Sequence, residues 1–297
     1  MRVRNFDRFT LGNGEFMHPA IWISLIIVGA AALAALAVVL LRAYMLRPGR
    51  RNGEMKKYTE IKYAHRGLHD EKRAENTLSA FAAAKDRGYG MELDLRLSKD
   101  GQLVVSHDAN IKRMCGIDRA VADMTAEELA GLHVGGTEDG VPTFREVLAL
   151  VDGAVPLLIE LKQGEGESGV AERFLEEIEG YGGDFIVESF NPFVLRKVKK
   201  ARPDILIGIL GYDYTKDEKY GKKFFFRMLG KLYFNFLARP DFIAYEKSFS
   251  SVPTLRAIRR KFDTPLIAWT VTSADDERRA YGDGFDTVIF EGYIPEE

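Results

Sequence analysis

The sequence predicts an α/β fold, a (β/α)8 TIM barrel with a small cap insertion, preceded by one N-terminal transmembrane helix. Three observations support this prediction. Residues 21–41 form an uninterrupted apolar run. From residue 61 onward, short β-branched segments alternate with helical patterns, which is typical of parallel βα units. The number of strand candidates exceeds that of a usual doubly wound sheet and suits eight barrel strands plus one extra strand.

The composition excludes several classes of protein. With 46% hydrophobic and 29% charged residues, the chain is globular rather than disordered. It carries 42 Lys and Arg against 44 Asp and Glu, so no basic footprint indicates a nucleic-acid partner. A single cysteine excludes an internal disulfide, and the five histidines form no Cys/His cluster at zinc spacing. Any metal site must therefore consist mainly of oxygen ligands.

The first element is the apolar run 21–41, whose length as a helix is about 31 Å, the thickness of a bilayer core. A cleaved signal peptide is the alternative, but the run is longer than the apolar part of such a peptide. More basic residues follow the run than precede it, so we expect a single-pass protein of the cell membrane with its C-terminal part in the cytoplasm. The predicted segments are an N-terminal tail (1–20), a transmembrane helix (21–41), a basic linker (42–60) and the barrel domain (61–297).

Nine segments of the barrel domain have strand character: 61–64, 90–97, 102–107, 155–161, 185–189, 205–210, 241–246, 265–271 and 286–290. The second and third segments are separated only by a short turn around Lys99-Asp100-Gly101. This connection is too short for a parallel crossover. These two strands should therefore be antiparallel. Pairs whose residue numbers sum to about 199 or 200 would place His107 opposite Glu92 or Leu93.

Helix signals fill the intervals between the strands. Asn76 is a candidate N-cap for a helix at 77–87, which Gly88 would end. Two capping-box pairs begin later helices: Thr125 with Glu128, and Thr143 with Glu146. The polar stretch at about 108–141 shows only one short helical pattern and follows a strand end. We therefore expect it to form the cap over the barrel mouth.

Three carboxylates lie at strand positions that converge in a barrel. Glu92 and Asp94 are two residues apart and so share one face of a strand, and Glu160 stands near the end of the strand 155–161. Together they could bind a hard divalent cation, Mg²⁺ or Ca²⁺. The alternative is that they are solvent-facing carboxylates. Lys162, two residues after Glu160, is suited to a phosphate oxygen or to a simple surface ion pair.

Two histidines also stand at predicted strand ends. His65 is followed by Arg66, so a group that titrates near neutrality lies beside a planar anion binder. His107 ends the antiparallel strand. Flanking a phosphodiester held by a cation, the two imidazoles could act in turn as base and acid. Each alone is more often a structural histidine.

Taken together, these motifs resemble the glycerophosphodiester phosphodiesterase family. The matching stretches are AHRG (64–67), ENT (75–77), ELDLRLSKDGQLVVSHD (92–108), PTFREVL (142–148), IELK (159–162), ESFNP (188–192) and AWTV (268–271). The resemblance implies a barrel like that of phosphatidylinositol-specific phospholipase C, a divalent cation, and hydrolysis of glycerophosphodiesters to glycerol 3-phosphate and an alcohol.

The resemblance also implies roles for individual residues. The metal carboxylates would be Glu92, Asp94 and Glu160, the acid/base pair His65 and His107, and the phosphate ligands Arg66 and Lys162. Further substrate contacts would come from Glu75, Asn76, Phe190 and Trp269. Asn76 could instead be only a helix cap, and the two aromatic residues could be core. Near the last strand the family tends to have Thr-Asp where this chain has Phe290-Glu291, which leaves the role of Glu291 open.

A second segment has membrane character. Residues 222–239 combine five basic and no acidic residues with several aromatic ones, and a helix there would be amphipathic. It could lie on the membrane or pack as an outer barrel helix. The expected substrates are glycerophosphodiesters, with a lysophospholipase D acting on membrane lysophospholipids as the alternative. An inactive membrane-anchored scaffold is disfavoured because every polar site residue is in place.

Overall fold

The computed structural model describes residues 10–11, 15–16, 18–164, 168–250 and 252–296. The chain divides into two compact units, residues 1–45 and residues 46–297. In the first, Thr10–Leu11 (β1) and Glu15–Phe16 (β2) pair antiparallel. Most of the predicted tail lies outside the described residues.

The long apolar helix is the main element of the first unit. Helix α1, Pro19–Leu46, contains the predicted span 21–41 and is about 42 Å long at 1.5 Å per residue. Its large apolar side chains are exposed along its length. It is the one helix among the described residues that is long and apolar enough to cross a membrane.

The second unit contains a closed barrel of eight parallel strands. The described residues of this unit form eight barrel strands and one extra strand: Tyr63–Ala64 (β3), Gly90–Leu97 (β4), Leu103–Val105 (β5), Leu157–Leu161 (β6), Phe185–Ser189 (β7), Ile207–Gly211 (β8), Phe242–Glu246 (β9), Leu266–Val271 (β10) and Thr287–Phe290 (β11). Neighbours in the barrel follow the order β3, β4, β6, β7, β8, β9, β10 and β11, and β11 pairs with β3 again. The predicted barrel is confirmed, with strands slightly shorter than the sequence pattern indicates.

Strand β5 is the extra, antiparallel strand. It pairs with the end of β4 through Leu95 with Val105 and Arg96 with Val104, so paired residue numbers sum to 200 as predicted. The strand ends at Val105, and His107 therefore follows it rather than pairing within it. The turn nevertheless returns the chain to β4, since Ser106 donates its N–H to the carbonyl of Asp94 at 2.9 Å.

The helices of the second unit surround the barrel or cover its ends: Asn52–Thr59 (α2), Leu78–Asp86 (α3), Lys112–Cys115 (α4), Ala126–Ala130 (α5), Phe144–Val151 (α6), Val170–Glu177 (α7), Pro192–Ala201 (α8), Phe224–Gly230 (α9), Asn235–Ala238 (α10), Pro253–Phe262 (α11) and Ala274–Gly282 (α12). Both capping boxes are present, at α5 and α6. The predicted cap of α3 is wrong, because Thr77 and not Asn76 accepts a hydrogen bond from the helix.

The segment predicted as a basic linker, 42–60, is a structured part of the fold. Helix α1 continues to Leu46, and α2 buries Met55 and Tyr58 against the residues inside the barrel. Arg51 makes an ion pair of 2.6 Å with the buried carboxylate of Asp241. The sequence did not predict helix α2, because its eight residues are too few to show a clear helical period.

Two further expectations need correction. The cap contains two short α-helices, α4 and α5, and two 3-10 turns, rather than one short helix, and it has a hydrophobic cluster of its own. The segment 222–239 is not one helix, because Leu232 adopts a positive φ of 63° between α9 and α10. The predicted continuous amphipathic stripe is therefore broken.

The pleat of the strands positions the polar residues. Five residues of different strands pack in one buried cluster inside the barrel: Tyr63, Leu158, Ile186, Ile267 and Ile289. Side chains two residues apart lie on the same face of a strand. The next inward positions, at the carboxyl ends of the strands, are therefore His65, Glu160, Glu188, Trp269 and Glu291. An apolar layer closes the barrel interior, and a polar layer lies above it.

Candidate active site

Three buried carboxylates form the centre of the polar layer. Glu92 and Asp94 extend from β4, and Glu160 from β6, where the register pairs Asp94 with Glu160. One oxygen of each lies within 4.8 Å of those of the other two. The sequence prediction that these acids converge is confirmed.

Burial and mutual repulsion strongly affect their ionisation. Burial, with the charge of Asp94 next, raises the pKa of Glu92 well above its usual value. Burial also raises the pKa of Glu160, to about 7, although Lys162 opposes the shift. Burial would raise the pKa of Asp94 as well, but the charges of Lys162 and His107 outweigh it and lower the pKa. Burial and mutual repulsion therefore disfavour the simultaneous ionisation of all three acids.

Two basic side chains lie beside the carboxylates. Lys162 Nζ is 2.8 Å from Glu160 Oε2 and 3.1 Å from Asp94 Oδ1. Arg66 donates its backbone N–H to Glu92 Oε2 at 2.9 Å, and its guanidinium Nε lies 3.5 Å from Asp94 Oδ2. Arg66 has a positive φ of 55°, which turns the chain sharply after β3. Both cations therefore offset part of the negative charge of the acids.

His65 follows β3, the strand next to β4, and contacts Glu291 just after the last barrel strand. Its Nδ1 forms a short hydrogen bond with Glu291 Oε2. This bond with His65 lowers the pKa of Glu291, so that the carboxylate stays ionised near neutral pH. His69 Nε2 lies 4.0 Å from the same oxygen. Glu291 thus orients His65, a role that the departure from the family pattern had left open.

His107 is held by a carboxylate of the cap. Its Nδ1 lies 2.7 Å from Asp108 Oδ1, and Asp108 Oδ2 accepts a hydrogen bond of 2.6 Å from Arg113 Nε in α4. Arg96 donates to the backbone carbonyl of His107 at 2.9 and 3.1 Å. Burial lowers the pKa of His107, which favours its neutral form at neutral pH.

Glu75 and Asn76 connect the site to the cap. Glu75 accepts hydrogen bonds from Arg66 at 2.7 Å and from Arg113 at 2.7 and 3.0 Å. Asn76 Nδ2 donates to Asp94 Oδ2 at 2.8 Å. Asn76 is buried, with a positive φ of 58°, so its side chain points to the acids instead of capping α3.

A pocket of about 200 Å³ opens above these groups. Its walls include His65, Arg66, Glu92, His107 and Glu160, together with Phe190 and Trp269. The rings of Phe190 and Trp269 meet edge to face, with centroids 5.7 Å apart. Three of the remaining predicted residues contact wall residues: Asp94 and Glu75 contact Arg66, and Lys162 contacts Glu160. The fourth, Asn76, bonds to Asp94.

Sequence reasoning missed three residues that belong to this site. Glu188 is buried, lines the pocket and pairs in register with Glu160, and burial raises its pKa well above the usual value. The alternation Ile186, Glu188, Phe190 was the signal that could have identified it. Asp108 directly follows His107 in the sequence. Arg113 gave no sequence signal, because only the fold of the cap brings it to Glu75.

The donor set fits a hard divalent cation. Carboxylate oxygens are the ligands that Mg²⁺ and Ca²⁺ prefer, and three of them converge here. Several buried acids at this spacing repel one another, and a bound cation would relieve that repulsion.

Comparison with known proteins identifies the family. The sequence model described as the glycerophosphoryl diester phosphodiesterase family matches residues 65–291. A glycerophosphodiester phosphodiesterase of Caldanaerobacter subterraneus subsp. tengcongensis is 34% identical over 238 residues, which are 76% of this chain and 91% of the relative. Lysophospholipase D GDPD1 of Rattus norvegicus is 36% identical over 112 residues, 33% of this chain and 35% of that protein.

A solved structure is similar over the same region. The glycerophosphodiester phosphodiesterase of Thermotoga maritima has a TM-score of 0.60 and 30% sequence identity, covering 77% of this chain and 94% of that one. The family match includes both histidines and all three carboxylates of the site. From its fold and its sequence, the chain belongs to the glycerophosphoryl diester phosphodiesterase family.

Proposed function

We propose that this chain hydrolyses glycerophosphodiesters to glycerol 3-phosphate and an alcohol in the pocket above Glu92, Asp94 and Glu160. The observation that carries the proposal is the convergence of these acids with two histidines and two cations at one mouth of the barrel. Enzymes with this fold have their active sites at that end. The sequence identity with the named relatives supports the same substrate class.

The three carboxylates would hold a divalent cation, Mg²⁺ or Ca²⁺, which when bound neutralises charge on the phosphate oxygens. Arg66 and Lys162 bind the remaining phosphate oxygens, for which the planar guanidinium and the compact ammonium are suited. Asn76 and Glu75 fix the positions of Asp94 and Arg66 through the hydrogen bonds described above. The chain thereby orients the phosphodiester before any bond is broken.

The two histidines transfer the protons. His107 is mainly neutral at neutral pH because burial lowers its pKa, and this is the form that accepts a proton from the attacking oxygen. His65, which Glu291 orients, donates a proton to the leaving alcohol. Phe190 and Trp269 supply an apolar wall of the pocket.

Substitution of the histidines tests this proposal. We expect His65→Ala and His107→Ala each to lower kcat for glycerophosphocholine by about a hundredfold or more. His133→Ala is the matched control, because His133 is an exposed histidine of the cap that bonds only to the Thr137 carbonyl among the contacts described. Normal turnover by either site variant would refute the acid/base assignment.

We also propose that α1 anchors the enzyme in the cell membrane, with the barrel in the cytoplasm. The length and apolar surface of the helix support the anchor, and the excess of basic residues after it supports the orientation. Protease added to intact cells should leave the barrel undigested. Digestion without lysis would contradict the orientation, and recovery in the soluble fraction would contradict the anchor.

Lysophospholipids are the second candidate substrate class. The similarity to a lysophospholipase D, although it covers a third of the chain, supports this possibility. A lysophospholipid differs from a glycerophosphodiester by one acyl chain, so the same catalytic groups could act on both. The choice depends on whether the site has room for that chain.

A further inference from the structure

A second and larger cavity adjoins the active-site pocket. Its volume is about 730 Å³, within the range of about 300–1,000 Å³ of cavities that hold small organic ligands. We call it the aromatic groove. It is lined by Gln163, Gly164, Phe190, Asn191, Pro192, Phe193, Tyr212, Tyr214, Tyr220, Lys223, Phe225, Phe226 and Leu229.

Aromatic rings make up most of the walls of the aromatic groove. The rings contact one another in a continuous series, for example Tyr220 with Phe226 at 4.2 Å and Tyr212 with Tyr214 at 4.0 Å between centroids. The charged side chain among the described lining residues is Lys223, whose ammonium lies 5.5 Å from the Tyr220 ring. Such a surface favours an apolar occupant, since burying it in contact with hydrocarbon removes both from water.

The aromatic groove adjoins the active-site pocket at a shared wall residue. Phe190 lines both cavities. Its ring meets Trp269 of the pocket at 5.7 Å and Tyr212 of the groove at 6.0 Å, both edge to face. A substrate whose phosphate lies at Arg66 and Lys162 can therefore extend past Phe190 into the groove.

Helix α9 contributes some of its aromatic side chains to the groove and exposes another. Helix α9 is short: it ends at Gly230, and the backbone turns at Leu232, which has a positive φ. Phe225 and Phe226 face the groove, whereas the side chain of Phe224 is 76% exposed and does not line it. Two adjacent phenylalanines of one helix thus have different surroundings.

We propose that the aromatic groove binds the single hydrocarbon chain of a lysophospholipid whose phosphate occupies the active-site pocket. This inference rests on the proposed function, and it extends the substrate class from soluble glycerophosphodiesters to monoacyl phospholipids. Aromatic rings attract quaternary ammonium groups. Here, however, Lys223 would repel a cationic head group, and the groove is much larger than a choline group. The head group is released on the other side of the phosphate.

The test compares substrates that differ only in chain length. Release of choline is measured for glycerophosphocholine and for lysophosphatidylcholines with acyl chains of six to twelve carbons, all below their micelle concentrations, with the full-length protein. For the wild type we expect kcat/KM to rise with chain length, by up to about fourfold for each methylene that enters the groove.

A matched pair of variants locates the effect. Phe225→Glu places a charge in the groove wall and should lower the ratio of kcat/KM for the twelve-carbon substrate to that for glycerophosphocholine by about tenfold or more. Phe224→Glu makes the same change on the exposed neighbour and should leave this ratio within about twofold. Phe225→Leu, which stays apolar, should retain most of the preference.

The proposal would be overturned if kcat/KM of the wild type did not depend on chain length, or if the ratio did not change in Phe225→Glu. An equal loss of kcat/KM for both substrates in Phe225→Glu would also overturn it, because it would assign the groove to the head group. Titration calorimetry separates this from failure of the proposed function. If the wild type cleaves no glycerophosphodiester, yet binds the twelve-carbon lysophospholipid about tenfold more tightly than Phe225→Glu does, the catalytic assignment is wrong and the groove assignment stands.

Discussion

At the scale of single residues, Glu291 shows how an apparent departure from a family pattern can be functional. The sequence comparison left its role open, because the family tends to have an aspartate one position after a threonine at this point. In the structure its carboxylate reaches His65, and this bond lowers the pKa of Glu291.

The first prediction concerns this hydrogen bond. Glu291→Gln removes the negative charge that orients His65, so we expect kcat to fall by about tenfold or more with little change in KM. Steady-state kinetics on glycerophosphocholine measure this, with Glu71→Gln, an exposed residue between β3 and α3, as the control. A change in KM alone would assign Glu291 to substrate binding instead.

The second prediction concerns Glu75 and pH. Burial would raise the pKa of Glu75, but hydrogen bonds from Arg113 and the charge of Arg66 lower it from 4.5 to about 2. Because the pKa is lower in the folded state, this carboxylate stabilises the fold fully above about pH 4.5, and the contribution is lost as the pH falls towards 2. After allowance for solvent screening, we expect a contribution on the order of 1 kcal/mol.

Urea unfolding of the wild type and Glu75→Gln between pH 7 and pH 3 measures this contribution. The difference in free energy of unfolding should be largest at pH 5 to 7 and should shrink below pH 4.5. A difference that stays constant down to pH 3 would show that the ionised form of Glu75 is not favoured in the folded state.

At the scale of elements, Asn76 and Thr77 show where prediction from sequence ends. Both are good N-cap residues, and a helix boundary is uncertain by a residue or two. Asn76 bonds to Asp94 instead, and Thr77 Oγ1 accepts from Ala80 N at 3.4 Å. The choice depends on the carboxylate of β4, which is distant in sequence.

The third prediction distinguishes the structural role of Thr77 from the role of Asn76 in the site. Thr77→Ala should lower the free energy of unfolding by about 1 kcal/mol through the lost cap, with kcat little changed. Asn76→Ala should lower kcat because Asp94 loses its hydrogen bond. Unfolding and kinetic measurements on both variants check this, and a kinetic defect confined to Thr77→Ala would reverse the assignment.

Strands and the hairpin were predictable because period-two patterns and a short turn are local signals. The register of β4 and β5 followed from the turn at Lys99-Asp100-Gly101 alone. By contrast, the segment 222–239 looked like one helix because its apolar residues repeat at helical spacing, and only the backbone at Leu232 shows the break. The site acids were predictable because polar and apolar residues alternate along their strands. Arg113 was not predictable, because only the folded cap brings it to Glu75.

At the scale of the whole molecule, the boundary of the catalytic unit differs from the one that the sequence predicts. The compact unit begins at Leu46, not at residue 61. Met55 is fully buried in the barrel cluster, and Arg51 pairs with the buried Asp241. Residues 46–60 therefore close the amino-terminal end of the barrel.

The fourth prediction follows from this boundary. A 46–297 fragment should fold and turn over glycerophosphocholine at a rate near that of the full chain. A 61–297 fragment should be less stable by several kcal/mol, because it exposes the cluster around Met55 and removes one cation from Asp241. Thermal unfolding of both fragments measures the difference. Equal stabilities would show that these residues contribute little to the fold.

The fifth prediction tests the central claim, that Glu92, Asp94 and Glu160 hold a divalent cation on which phosphodiester cleavage depends. The measurement is the release of glycerol 3-phosphate from glycerophosphocholine by protein stripped of metal, before and after addition of Mg²⁺ or Ca²⁺. We predict no turnover in excess EDTA and full recovery with at least one of these ions. Undiminished turnover in excess EDTA would contradict the account.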